Sequence, residues 1–144
     1  MRQYQVELTA YNPLWRDVAE NALMLADYAN GFKFPFDIKN NGTRFAARSP
    51  SSGFEIVGDV PSPIRAVFKG GSGKRPNLTN VVTGEHILVE VELAANEELT
   101  ICTDYGNKIV EVKLANGTIV NANHLISNDS SFFSLPVGNN KLTF

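Results

Sequence analysis

Apolar and polar residues alternate along much of the chain. In "QYQVELTA", Tyr4, Val6, Leu8 and Ala10 point one way and Gln3, Gln5, Glu7 and Thr9 the other. "SPIRAVFK" groups Ile64, Ala66 and Phe68, and "HILVEVEL" sets Ile87, Val89, Val91 and Leu93 opposite Glu90 and Glu92. "KIVEVKL" repeats the pattern with Val110, Val112 and Leu114. A period of two places one row of side chains on a core and the other in water, as in half-buried antiparallel strands. Turn chemistry divides the runs: Ala95-Asn96, Tyr105-Gly106-Asn107 and Asn116-Gly117. The last reads as a two-residue hairpin turn with positive φ at both positions. Short strands at close spacing predict an all-β antiparallel sandwich or barrel in a single domain over residues 1–144.

Two segments break the alternation. "NPLWRDVAENALMLADYANG" opens with Asn12 as N-cap and Pro13 at the first helical position, repeats Trp15, Val18, Ala19, Ala22 and Ala26 at helical spacing, and ends at Asn30-Gly31. It predicts one short helix lying against a sheet edge. Residues 32–53 follow as an extended basic arm. Phe32, Phe34, Phe36 and Ile38 alternate with Lys33, Pro35, Asp37 and Lys39, and Arg44 and Arg48 add charge. Pro35 is compatible with an edge strand but not with a sheet interior. Such an arm either covers the open edge of the sandwich or contacts a neighbouring protein; Phe32, Phe34, Phe36, Arg44 and Arg48 are the candidate interaction residues.

The final fifteen residues, "SSFFSLPVGNNKLTF", are apolar where termini are usually loose. Asn140, Leu142 and Phe144 alternate with Lys141 and Thr143 after a turn at Pro136-Val137-Gly138-Asn139. This predicts a closing strand with Leu142 and Phe144 on the core.

The composition is that of a globular protein: 144 residues, 43% hydrophobic, 19% charged, net charge −2. A nearly neutral chain has no general polyanion-binding character, and nucleic acid is not an expected partner. Residues 1–84 carry an excess of base and residues 85–144 an excess of acid, a bipolarity able to orient a domain in an assembly. No apolar stretch approaches the roughly 20 residues of a membrane-spanning helix, so no membrane partner is expected. The lone Cys102 cannot form an internal disulfide, and its strand context predicts a buried structural thiol.

Catalytic patterns fail one by one. "KGGSGKRPN" lacks the first glycine of a phosphate loop, since Phe68 stands there, and Arg75 follows Lys74 where Ser or Thr should. Glu90 and Glu92 share the polar side of one strand rather than flanking a cleft. His86 and His124 stand in no metal-ligand spacing. No catalytic residue, metal site or cofactor is expected. Trp15, Tyr11, Tyr28 and Tyr105 are candidate sugar-stacking rings.

The order of motifs nevertheless resembles a family. The pieces are "NPLW" (12–15), "FKFPF" (32–36), "VGDVPSPIRAVFKG" (57–70), "NLTNVVTGEHILVEVEL" (77–93), "EELTICTDYGNKIVEV" (97–112) and "DSSFFSLPVGNNKLTF" (129–144). Together they resemble the C-terminal domain of the distal tail proteins of siphovirus-type phages. The resemblance implies a galectin-like or jelly-roll β-sandwich without enzymatic activity, part of a phage or prophage tail tip or baseplate. Made in the bacterial host cytoplasm and carried on the virion, it would contact neighbouring tail or receptor-binding proteins. Full-length members of the family are homo-hexamers through a separate N-terminal ring domain. That domain is missing here, so a monomer or weak dimer is expected, from an excised domain or a short product. The alternative function is a carbohydrate-binding module that attaches to a cell-surface glycan of the host wall.

Overall fold

The computed structural model describes residues 51–144, with Tyr28–Ala29 and Ala47–Arg48. These last two segments form a small antiparallel ladder, β1 (Tyr28–Ala29) with β2 (Ala47–Arg48), in which Tyr28 pairs with Arg48. The expected helix lies outside the described residues except at its C-terminal end, where Tyr28 and Ala29 are strand instead. Cross-strand pairing with β2 fixes those two residues. The expected first strand (residues 3–10) and the alternating residues 32–38 also lie outside the described residues.

The rest is a β-sandwich of two four-stranded antiparallel sheets. The first is ordered β3 (Ser51–Ile56), β10 (Gly138–Thr143), β5 (Asn77–Asn80), β6 (His86–Leu88). The second is ordered β4 (Arg65–Lys69), β7 (Glu98–Asp104), β8 (Asn107–Lys113), β9 (Ile119–Asn121). Strand β7 shows why the alternation forms a sandwich: Leu99, Ile101 and Thr103 are buried while Glu98, Thr100 and Cys102 face outward. Its partner β8 puts Val110 opposite Ile101 and Val112 opposite Leu99, all four in the core. Leu78, Ile87 and Val89 bury completely from the facing sheet. Each such side chain contributes about 1.5–3 kcal/mol.

The closing strand is in the middle of its sheet. β10 pairs along its whole length with β3 and through Leu142 and Thr143 with β5. Leu142 is buried as expected, whereas Phe144, past the end of the ladder, is half-buried. Asn140 shares the buried face with Leu142.

Three local expectations change. The Asn116-Gly117 hairpin has positive φ only at Gly117 (86°). Gly117 N–H donates to Leu114 O, and Leu114 N–H to Thr118 O, each at 2.8 Å, giving a three-residue loop with a glycine bulge. Cys102 is half-buried on the outer face of β7, between Arg65 and Ile109, and is not a core thiol. The run 86–93 keeps its alternation, but its ladder with β5 ends at Leu88. Val91 N–H then turns back to Val89 O, and Glu90 N–H is taken by Leu125 O. The chain crosses to the other sheet there.

Candidate functional site

β3, β5 and β7 finish, and β4, β6 and β8 begin, at one end of the sandwich, because each adjoining pair is antiparallel. Four connections meet at that end: residues 57–64 between β3 and β4, residues 81–85 between β5 and β6, Tyr105-Gly106 between β7 and β8, and residues 132–137 leading into β10. The last of these plugs the core with Phe133 and Leu135. Leu135 and Ser62 exchange backbone hydrogen bonds at 2.8 and 2.9 Å. Phe132 lies under the Lys108 ammonium, 6.0 Å from the ring centre.

Several large apolar side chains on these connections face solvent, beside the exposed Asp59, Thr83, Glu85 and Lys108. Val57 (89% exposed), Val60, Val81, Val82 (61%), Tyr105 (90%) and Val137 all present large hydrophobic side chains to water. Among the described residues, the other exposed large hydrophobics are Val67 on β4 and Ile119 and Val120 on β9. Single exposed apolar residues are ordinary; their concentration on one end is the informative observation. The loops are also held in place. Val81 N–H donates to Lys141 O, Asn80 N–H to Glu85 O, and Val82 N–H to the Asn80 side chain. Sequence reasoning missed this cluster. Its signal was a valine next to turn residues in three of the four loops: Val57-Gly58, Val82-Thr83-Gly84 and Val137-Gly138.

Three polar side chains, His86, Ser127 and Asp129, meet beside β6. His86 Nε2 lies 3.3 Å from Asp129 Oδ2, and the Ser127 hydroxyl donates to Asp129 Oδ1. A nucleophilic triad needs the imidazole between hydroxyl and carboxylate. Here the carboxylate stands between the other two, so the order of a triad is not the one found. The donated hydrogen bond from Ser127, with its own backbone N–H and His86, holds the Asp129 carboxyl below the ordinary aspartate value. The adjoining depression, lined by Glu90, His124, Ile126 and Asp129, is open and polar. Glu90 and Glu92 are both exposed. No group of three metal-ligating side chains occurs among the described residues. Of the candidate sugar-stacking rings, Tyr105 is the one whose side chain is described, and it is exposed at the loop end. Phe32, Phe34, Phe36 and Arg44 lie outside the described residues; Arg48 is placed in β2.

No curated protein and no solved structure matches the chain. The family model of the siphovirus-type tail component, C-terminal domain, matches residues 57–144. This span includes both sheets apart from β3, together with the whole loop end from Val57 to Val137. The early pieces at 12–15 and 32–36 fall outside it. By this match over more than half its length, the chain belongs to the siphovirus-type tail component family, as its C-terminal domain.

Proposed function

We propose that the domain is a non-enzymatic docking module of a phage tail tip or baseplate, whose loop end seats against a neighbouring tail or receptor-binding protein. The observation that carries this reading is the gathering of Val57, Val60, Val81, Val82, Tyr105 and Val137 on one end. Apolar anchors on a rigid support lose little conformational entropy on association, and this favours them at the centre of an interface. The test is reconstitution with the tail proteins encoded beside this one. Val57→Asp with Val82→Asp should abolish co-purification while leaving the melting temperature within about 2–4 °C of the parent. Retained co-purification would overturn the docking assignment.

Tyr105 supports a second reading, because it is the one exposed aromatic ring among residues 51–144 and such rings stack on sugars. A glycan array separates the two. Binding that disappears in Tyr105→Ala would establish cell-wall carbohydrate as the ligand; an empty array leaves protein docking.

A further inference from the structure

Among the described residues, three asparagines accept a hydrogen bond from the backbone N–H two positions on. Val82 N–H donates to Asn80 Oδ1 at 2.9 Å, Thr118 N–H to Asn116 Oδ1 at 2.9 Å, and Asn123 N–H to Asn121 Oδ1 at 3.0 Å. Each bond folds the side-chain amide over the peptide that follows the asparagine. The three sites differ in what that next peptide holds. Val81 N–H crosses to Lys141 O of β10, and Ala122 N–H crosses to Val110 O of β8. Gly117 N–H donates to Leu114 O inside its own loop, so it can be released without parting two strands. Asn80 is buried, whereas Asn116 and Gly117 are both exposed. Gly117 also has no Cβ to crowd its nitrogen, and nothing lies within 4 Å of where one would stand.

We propose that Asn116 is a modification site, at which the folded chain converts its own amide to an acid. The Gly117 nitrogen loses its proton to hydroxide and bonds to Asn116 Cγ. The Cγ–Nδ2 bond breaks, and Nδ2 takes a proton from water and leaves as ammonia. One water then opens the resulting imide at either carbonyl, giving aspartate or isoaspartate at position 116. No oxidant or reductant enters. The turn supplies proximity, because the attacked carbon is already held over the attacking peptide. Thr118 N–H points at Oδ1, the oxygen on which negative charge gathers during the attack. Isoaspartate routes the chain through the side-chain carbon and so lengthens the backbone by one atom between Leu114 and Thr118. The 2.8 Å bonds from Gly117 N–H to Leu114 O and from Leu114 N–H to Thr118 O close that loop. A longer loop would loosen β9, which pairs with β8 alone. The loop stands at the end of the sandwich away from Val57 and Tyr105, so this inference is independent of docking there.

The test ages the folded full chain in mildly alkaline buffer and reads its peptides by mass spectrometry, with isoaspartate-specific methylation to tell the two acids apart. Conversion at Asn116 should outpace that at Asn121 by at least ~10-fold, since Ala122 carries the Cβ that Gly117 lacks. Isoaspartate should be among the products. Hydrogen exchange at the Leu114 amide should quicken along the same time course, with β7 protected as before, and should stay unchanged in aged Asn116→Ser protein. Conversion no faster than at Asn121, or found only after the chain is denatured, would overturn the proposal. An unaltered Leu114 amide in fully converted protein would overturn the loosening of β9. The mass measurement uses the unaltered sequence and does not depend on a variant folding.

Discussion

The Asn80 side chain donates from Nδ2 to Asn140 Oδ1 at 3.1 Å, deep inside the first sheet. Each amide then reaches a connection at the loop end. Asn140 Nδ2 donates to Pro136 O at 2.8 Å and Gly138 O at 2.9 Å. Asn80 Oδ1 accepts from Val82 N–H at 2.9 Å. The pair therefore ties the loops that carry Val82 and Val137 to the core. All polar side-chain atoms buried among the described residues are satisfied. Such a network is costly to interrupt, since each orphaned buried group costs about 1–3 kcal/mol.

Asn140→Asp should be more harmful than its size suggests. The aspartate would present an oxygen to the Pro136 and Gly138 carbonyls in place of a donor. Burial and the facing oxygens would raise its folded-state pKa above the unfolded value. With a raised folded pKa, the native state binds the proton more tightly, so stability is lost as pH rises between the two values. Chemical denaturation of this variant should show greater stability at pH 4 than at pH 7. A flat or opposite pH response would show that the amide donates nothing there.

Leu142→Ala should cost about 2–5 kcal/mol in urea denaturation, the usual range for a buried leucine truncated in a packed core. Leu142 is buried on β10, between Ser52 of β3 and Asn80 of β5. Phe144→Ala should cost less, because its ring is half-buried. Ending the chain at Asn128 removes Phe133, Leu135 and the central strand, and that product should show no cooperative transition. A sharp melt near the parent temperature would contradict the architecture.

Gly70→Ala should destabilise by about 1–3 kcal/mol through overpacking. A Cβ at Gly70 would meet Ala94 O at 2.0 Å and Leu93 Cβ at 2.9 Å. The close approach follows from two backbone hydrogen bonds, Gly70 N–H to Glu97 O and Gly71 N–H to Leu93 O. Thermal melts of Gly70→Ala and Gly53→Ala should differ clearly, since a Cβ at Gly53 meets only Asn140 O at an ordinary 3.7 Å.

Asp129 should respond to acid. Its carboxyl is held below the usual aspartate value, first by the Ser127 hydroxyl. A depressed folded pKa contributes stability that is present above the unfolded aspartate value and lost as pH falls through the folded one. Residues 127–131 should therefore loosen from β6 below the ordinary aspartate range, seen as faster amide exchange at Ser127 and Ser131. Ser127→Ala should return the Asp129 carboxyl toward its ordinary value in a carbon-detected NMR titration.

The sandwich could be read in the sequence because its strands obey a period of two: Ile87, Val89, Val110 and Val112 sit on the core where alternation puts them. Alternation records which face a residue takes, not which strand it pairs with. Hence the crossing at Glu90 and Val91, inside an unbroken apolar row, was invisible. Cys102 shows the same limit: residue type suggested the core, but Ile101 and Thr103 already occupied the inward phase of β7. The loop end was hidden for another reason. Val57, Val82 and Val137 lie in turns, where no periodicity marks a face. Only the order of strands brings those turns together.

The position of β10 imposes a schedule on the newborn chain. β3 and β5 are spelled out well before the strand that joins them. At roughly 5–20 residues per second, the interval between Ile56 and Gly138 is on the order of 4–16 s. The second sheet can assemble meanwhile, since β7, β8 and β9 are consecutive hairpins. The first sheet must wait, with two half-made ladders open to any passing strand. In a cell making many copies at once, that wait is the moment at which the protein is most vulnerable to mispairing, and its yield would depend on how well those edges are sheltered.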